Sequence, residues 1–378
     1  MAYSLGVFAL YAFNTALSTD EHLKKAFGDP ELAKIQSVTI LSSIYNAATN
    51  KRSGAHEQLA GIVAAVFQYD IGLSKHGFLK TKSKEVYDNC GTGGDTINSF
   101  HISTSSALLA ASQGVKLAKH GSPGGAQRSG SSDFIDYLGI DKLASPEIIT
   151  QSIDDANFGY IEAVNTNYKK IHVLTHGVAH LAHMNDIIGP MTNPLKSENL
   201  VGKVLGVNQV IGPLVVAKAY QLLNNLGIMH VEKALIVRGY ANGNKAKTVD
   251  EVSIMNGGTE AVLFSAGMME YLKIEFSDFG FSTPAKEKDL SPSINDAQSR
   301  LQYTENVLEG FGPDGARNTL IANTAVLLAL SKIKRGETAT NLDLKDGVEV
   351  ASIALRDKLH KQVIKEVREI QDKYKVLK

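Results

Sequence analysis

The stretch KEVYDNCGTGGDTINSFHISTSSALLAASQGVKLAKHG, residues 84–121, decides the fold. A short run, KEVYDNC, reads as a strand and enters three glycines within four positions, followed by Asp95. SALLAASQG then reads as a buried helix that ends near Gly114. VKLAKHG is a second short strand leading into another loop. Parallel strands need a crossover, usually a helix packed on the sheet face, so this order of elements predicts a parallel sheet.

The same alternation continues outward. NFGYIEAV (157–164), KALIVRG (233–239), EAVLF (260–264) and YLKIEF (271–276) read as further strands. Helical patterns are expected at 168–184, within 196–228, at 318–333 and at 344–374. Residues 281–297 are the most loop-like. Upstream, residues 4–75 carry apolar positions at spacings of three and four, with a capping-box pattern at Ser18 to Glu21 and a turn at KRSG. The fold class expected is α/β: a small all-helical domain plus a larger α/β domain with a mainly parallel central sheet.

Composition narrows the function. Among 378 residues, 39 basic and 39 acidic side chains cancel, so no global field favours nucleic acid or a membrane surface. The single cysteine, Cys90, excludes an intrachain disulfide and any Cys-rich zinc site. The apolar stretch at 5–13 has no Lys or Arg before it and is too short to span a bilayer. The chain is therefore expected to be soluble and cytoplasmic.

The quoted stretch also carries the chemistry. Glycines let backbone N–H groups approach an anion without a Cβ in the way. Ser103 and Thr104 precede the apolar run 107–111 and read as helix-capping residues. A helix N-terminus there would present free N–H groups and a positive dipole end. Lys119 adds a mobile positive charge, and Gly121, Gly124, Gly125 and Gly130 with Ser129, Ser131 and Ser132 form a second loop of small residues. Asp95 is poorly suited to phosphate and better suited to a divalent metal, a ribose hydroxyl or a developing cation. Neither the Walker A pattern nor the dinucleotide glycine spacing is present. Far away, Asp250 and Glu251 stand adjacent, a pair able to share a divalent ion.

Together these pieces resemble the anthranilate phosphoribosyltransferase family. The matching motifs are GTGGD at 91–95, IST at 102–104, AKHG at 118–121, SGSSD at 129–133, GPMTNP at 189–194 and VDEVS at 249–253. The resemblance implies a helical domain over 1–80, joined by roughly 190–228, and an α/β domain over 81–189 and 229–378. It implies a homodimer formed through the helical domains. It places Gly91, Gly94, Asp95, Ser99, Ser103, Thr104, Lys119 and Ser131 around 5-phosphoribosyl-1-diphosphate (PRPP). Asp250 and Glu251, with Ser103, would hold Mg²⁺. The reaction implied moves phosphoribosyl to an aromatic nitrogen acceptor, by default anthranilate in tryptophan biosynthesis, with no catalytic nucleophile. A different amine or base acceptor, or a nucleoside phosphorylase-like reaction, is the alternative.

Departures from the family pattern gather on the acceptor side. Ser122 and Pro123 replace Asn-Arg after Lys-His-Gly, while His101, in place of the asparagine before the Ser-Thr pair, is a change on the PRPP side. The arginine that meets the acceptor carboxylate aligns near His176. Ser122 and His176 are thus the candidate acceptor contacts. Histidine lacks the bidentate fork of arginine. His172, His176 and His180, with His183 nearby, also share zinc-like spacing, but no carboxylate or cysteine accompanies them, which favours a histidine-rich acceptor pocket.

Overall fold

The computed structural model describes residues 54–124, 129–165, 183–294 and 296–376, with isolated positions before residue 54. In chain order the main elements begin with α1 (Ala55–Ala65), β1 (Val86–Gly91), α2 (Ile102–Ala111), β2 (Lys116–Gly121) and α3 (Ser131–Tyr137). Next come α4 (Pro146–Ala156), β3 (Phe158–Glu162), α5 (His183–Met191), β4 (Leu200–Gly206), α6 (Pro213–Asn225) and β5 (Lys233–Ala241). The chain closes with β6 (Asn244–Val249), β7 (Thr259–Ser265), β8 (Met268–Ile274), α7 (Ala297–Leu308), α8 (Asp314–Lys332), α9 (Leu344–Arg356) and α10 (His360–Val376).

The strands form one sheet in the order β3-β2-β1-β4-β5-β7-β8, with β6 pairing on β5. The first five positions are parallel, and β6, β7 and β8 are antiparallel additions. The carboxyl ends of β1, β2, β3 and β4 therefore share one edge, where open α/β sheets place their ligands.

Both faces of the sheet are covered. Along β5, Leu235 and Val237 join one hydrophobic cluster while Ala234 and Ile236 join another. That two-residue alternation sends successive side chains to opposite faces. On the first face lies α8, in which every residue from Thr319 to Leu330 is buried, packed against α2 and α9. A helix buried on every side is core, and its polar Thr319, Asn323 and Thr324 are satisfied by backbone carbonyls. The opposite cluster draws on α1, α5 and α6, and α6 packs directly on α1. Among the described residues no helix is long and apolar enough to cross a membrane.

The structure sharpens the sequence reading at two points. First, the helical run expected within 196–228 is Pro213–Asn225, and it is preceded by a central strand, Leu200–Gly206, that the sequence reading did not include. Gly202 and Lys203 break the apolar texture of a buried strand, but Lys203 is itself buried and pairs with buried Asp88 of β1 at 3.2 Å. It also donates to Pro190 O. The charge is matched across the sheet, so the strand tolerates it. Second, α2 is capped by His101 rather than by Ser103 or Thr104, which occupy its first turn. The N–H of His101 is held by Thr304 Oγ1 at 3.1 Å, and its carbonyl accepts from Ser105 N at 3.1 Å. The chain thus enters the helix ahead of the Ser-Thr pair.

Candidate active site at the carboxyl edge

β1 and β4 end side by side, Gly91 opposite Gly206. A methyl group on Gly91 would lie 2.0 Å from Asp250 Oδ2, and one on Gly206 would lie 1.5 Å from Asp250 O. The paired glycines form a flat bed across which the Asp250-Glu251 turn lies. Gly93 and Gly94 then adopt φ of +69° and +73°, where a side chain is strained. The N–H of Gly93 donates to Asp250 Oδ2 at 2.6 Å, and Asp250 N–H donates to Asp95 Oδ1 at 2.9 Å. Residues far apart in sequence thus interlock as one carboxylate wall.

α2 forms the floor. Asn89 of β1 donates from Nδ2 to Ser103 O and to Ser106 Oγ, both at 3.0 Å, which fixes the first turn of the helix against the strand. The Thr104 hydroxyl is buried in the cavity wall without a hydrogen-bond partner. An unsatisfied buried hydroxyl is costly, and an oxyanion seated here would satisfy it.

The opposite wall comes from β2 and the loop after it. Lys119 is 2% exposed, and its Nζ reaches His120 O at 3.4 Å. Ser131, the first residue of α3, donates to Ser122 O at 3.4 Å. A Cβ on Gly121 would strike Ser131 Oγ at 2.0 Å, so a larger residue where strand and loop cross would turn the Ser131 hydroxyl away. Asp133 Oδ2 accepts from Gly124 N at 2.8 Å and Gly130 N at 2.7 Å, tying both ends of this second loop.

A cavity of about 270 Å³ collects these groups. Gly91, Gly94, Asp95, Ser99, Ser103, Thr104, Lys119, Ser131, Ser122, Asp250 and Glu251 all line it. Of the candidate contacts, His176 lies outside the described residues, as do His172 and His180 and the side chain of His183. Other lining residues were not among the candidates, His101 and Arg300 among them. His101 was visible only as a departure from the family pattern; its ring stacks on Phe134 at 5.3 Å, with Nε2 3.0 Å from Ser129 Oγ. Arg300 gave no signal, being one cation in a polar helix far along the chain; it too reaches the cavity.

The electrostatics are polarised. Burial and the neighbouring charges of Asp250 and Glu251 hold the Asp95 carboxyl well above its ordinary range. Burial and Asp250 push Glu251 up to about 8, although Lys119 and Ser103 pull the other way. Burial, then Arg300 and Lys119, hold the His101 ring well below its usual value, which keeps it neutral. Burial and Asp88 push the Cys90 thiol up to about 12, which removes it as a nucleophile. Carboxylates crowded against one another suit a divalent cation, which would discharge their repulsion. Among the described residues no three His, Cys, Asp or Glu side chains close on one point. A cation here would take one or two carboxylates and fill its shell with water and ligand oxygens, the habit of Mg²⁺.

Residues 83–357 match the model of the glycosyl transferase family, a/b domain. The Haemophilus influenzae anthranilate phosphoribosyltransferase is 31% identical over 319 residues, spanning 83% of this chain and 86% of the relative. That of Bacillus licheniformis is 30% identical over 270 residues, or 71% and 72% of the two chains. The chain belongs to the anthranilate phosphoribosyltransferase family. Among solved members, the Saccharomyces cerevisiae enzyme in complex with PRPP and Mg superposes with a TM-score of 0.71 at 20% identity. The match covers 99% of this chain and 94% of that one. The Thermus thermophilus enzyme gives 0.63 at 22% identity, covering 89% and 95%. The described residues of this family member thus keep the family fold, and the glycine loops and carboxylate pair described above fall inside the segment matched by the family.

Proposed function

We propose that the cavity binds PRPP with Mg²⁺ and transfers its phosphoribosyl group to the nitrogen of an aromatic acceptor, anthranilate in the first instance. The observation that carries this reading is the convergence in one cavity of two glycine loops, the start of α2 with its orphaned Thr104 hydroxyl, Lys119, and the carboxylates of Asp95, Asp250 and Glu251. The loops and the α2 N-terminus would bind the phosphates, and Lys119 would neutralise the departing diphosphate. Mg²⁺, when bound on Asp250 and Glu251 with Ser103 nearby, supplies Lewis-acid stabilisation of the leaving group. Asp95 is placed to hold a ribose hydroxyl or to face the positive charge that grows on the sugar. The acceptor, held on the opposite face by Ser122 and His176, attacks directly, so proximity replaces a covalent intermediate.

A second acceptor is favoured by a change at the cavity: Ser122 lines it, and with Pro123 beside it in sequence replaces the Asn-Arg of the family pattern. That change removes one arginine from the acceptor side, and the arginine expected to meet the acceptor carboxylate aligns near His176, which lacks its bidentate fork; both changes suit a neutral heterocycle. The helical unit of 1–80, joined by α6 within 190–228, is taken to carry a homodimer interface, and the protein to work in the cytoplasm.

Titration calorimetry with PRPP at millimolar Mg²⁺, followed by diphosphate release across a panel of aromatic amines and bases, tests the reading. PRPP should bind only with Mg²⁺ present; no binding would overturn it. Turnover with anthranilate supports the first acceptor, and turnover with another base alone supports the second.

The raised carboxyls make metal binding depend on pH. Glu251, pushed up to about 8, still holds its proton in the folded chain above pH 4.5, where the unfolded chain has released it. The metal-free protein therefore loses stability from this group as pH rises from about 4.5 to 8. Mg²⁺ must displace that proton. Its affinity, and the rise in melting temperature it confers, should grow between pH 6 and pH 8.5. A Mg²⁺ shift in melting temperature that is flat across this range would remove Glu251 from the metal site.

A further inference from the structure

Arg300 sits in the first turn of α7, behind the cavity, at a point the donor chemistry does not require. Its Nε donates to Ser99 O at 2.5 Å and its Nη1 to Ser129 O at 2.7 Å. These carbonyls belong to different loops, the one after β1 and the one after β2. One turn further along α7, Thr304 Oγ1 accepts the N–H of His101 at 3.1 Å and donates to Arg300 O at 2.7 Å. His101 in turn reaches Ser129 Oγ through Nε2. The bonds close a circuit: Ser99, Arg300, Ser129, His101, Thr304 and back to Arg300. α7 is itself pinned at its start, where Asp296 accepts from Ser299 N at 2.8 Å and Ser299 Oγ at 2.9 Å.

We infer that Arg300 is a positioning residue that clamps the two phosphate-binding loops into one rigid cradle before the donor arrives. The geometry stands by itself; its consequence for catalysis rests on the PRPP reading above. Loops of glycine and serine lose much conformational entropy when ordered, and a ligand that must order them binds more weakly. A planar fork holds its donors in fixed directions toward two carbonyls; a lysine offers a point charge on a flexible stem, with no preset geometry. Charge-assisted bonds to carbonyls are also the stronger kind. Because the clamp acts on the ground-state shape of the donor site, its loss should fall on KM for PRPP rather than on kcat.

The experiment compares Arg300→Met and Arg300→Lys with the unaltered protein. Amide hydrogen exchange, without substrate, should quicken in the segments 93–101 and 129–132 of both variants and stay unchanged in β1 and β4. Kinetics with Mg²⁺ should show KM for PRPP raised on the order of tenfold in both, with kcat and the acceptor KM held within about threefold. In a third variant, Arg300→Ala, added ethylguanidinium should recover part of the lost PRPP affinity. Exchange that does not change in the loops overturns the clamp whatever PRPP does. Full recovery by lysine overturns it too, because charge alone would then suffice. Failure of the unaltered protein to bind PRPP overturns the donor reading and leaves the exchange result to judge the clamp. A variant that melts far below the parent with exchange raised throughout the sheet also counts against it, since Arg300 would then serve the whole fold.

Discussion

Changing Asp250 to Asn and Glu251 to Gln together should abolish Mg²⁺-dependent turnover, a loss on the order of 10³-fold or more, while the protein melts at or above its original temperature. The two halves of the expectation have separate causes. The carboxyls are held against Asp95 and against each other at a partly buried wall, so ionising them together in the metal-free protein is costly. Replacing them with isosteric amides removes that cost. The structural bonds survive: an amide oxygen at position 250 still accepts from Gly93 N–H, and the backbone N–H of residue 250 still donates to Asp95. What is lost is the negative charge that would hold a hydrated divalent ion. The measurement is diphosphate release against Mg²⁺ concentration, beside a thermal melt. Activity within a fewfold of the parent would dismiss the pair from the mechanism. A large fall in melting temperature would mean that their role is structural.

How much of this was legible in the sequence depended on how local the physics was. The GTGGD loop could be read directly, because two of its glycines need positive φ and its third abuts another residue. The parallel sheet was legible from the strand, loop, helix order. Strand β4 was not, since its Lys203 is made acceptable only by Asp88 on the neighbouring strand. The cap of α2 was misplaced for a similar reason: His101 is fixed by Thr304, a partner from the far end of the chain. Asp250 and Glu251 gained meaning only beside the glycine loops, which the family resemblance supplied and spacing did not. Arg300 left no trace, because its bonds go to backbone carbonyls, and any residue type can supply those. Local conformational demands write themselves into sequence; long-range contacts to backbone do not.

The bed of paired glycines yields a second large effect, and one that separates two mechanisms of damage. Gly206→Ala would put a methyl carbon 1.5 Å from Asp250 O, a backbone atom that cannot swing aside. The whole 250–251 turn must lift from the sheet edge. Overpacking of this kind costs about 1–3 kcal/mol of stability. The carboxylate pair moves with its backbone, and a displacement near 1 Å is enough to cost on the order of 10²-fold in rate. Gly91→Ala meets a different obstacle. Its methyl would strike Asp250 Oδ2 at 2.0 Å and Asp250 Cγ at 2.5 Å, side-chain atoms that can rotate away, and would meet the backbone Asp250 O only at 2.9 Å, a far milder clash than at Gly206. Rotation would break the bond from Gly93 N–H and turn the carboxylate from the cavity. The Gly91 variant should therefore melt well above the Gly206 variant yet lose Mg²⁺ affinity by calorimetry, whereas the Gly206 variant should lose both stability and affinity. A Gly206→Ala protein with native melting and native Mg²⁺ response would show that the turn does not rest on β4, and with it the bed of paired glycines would fall.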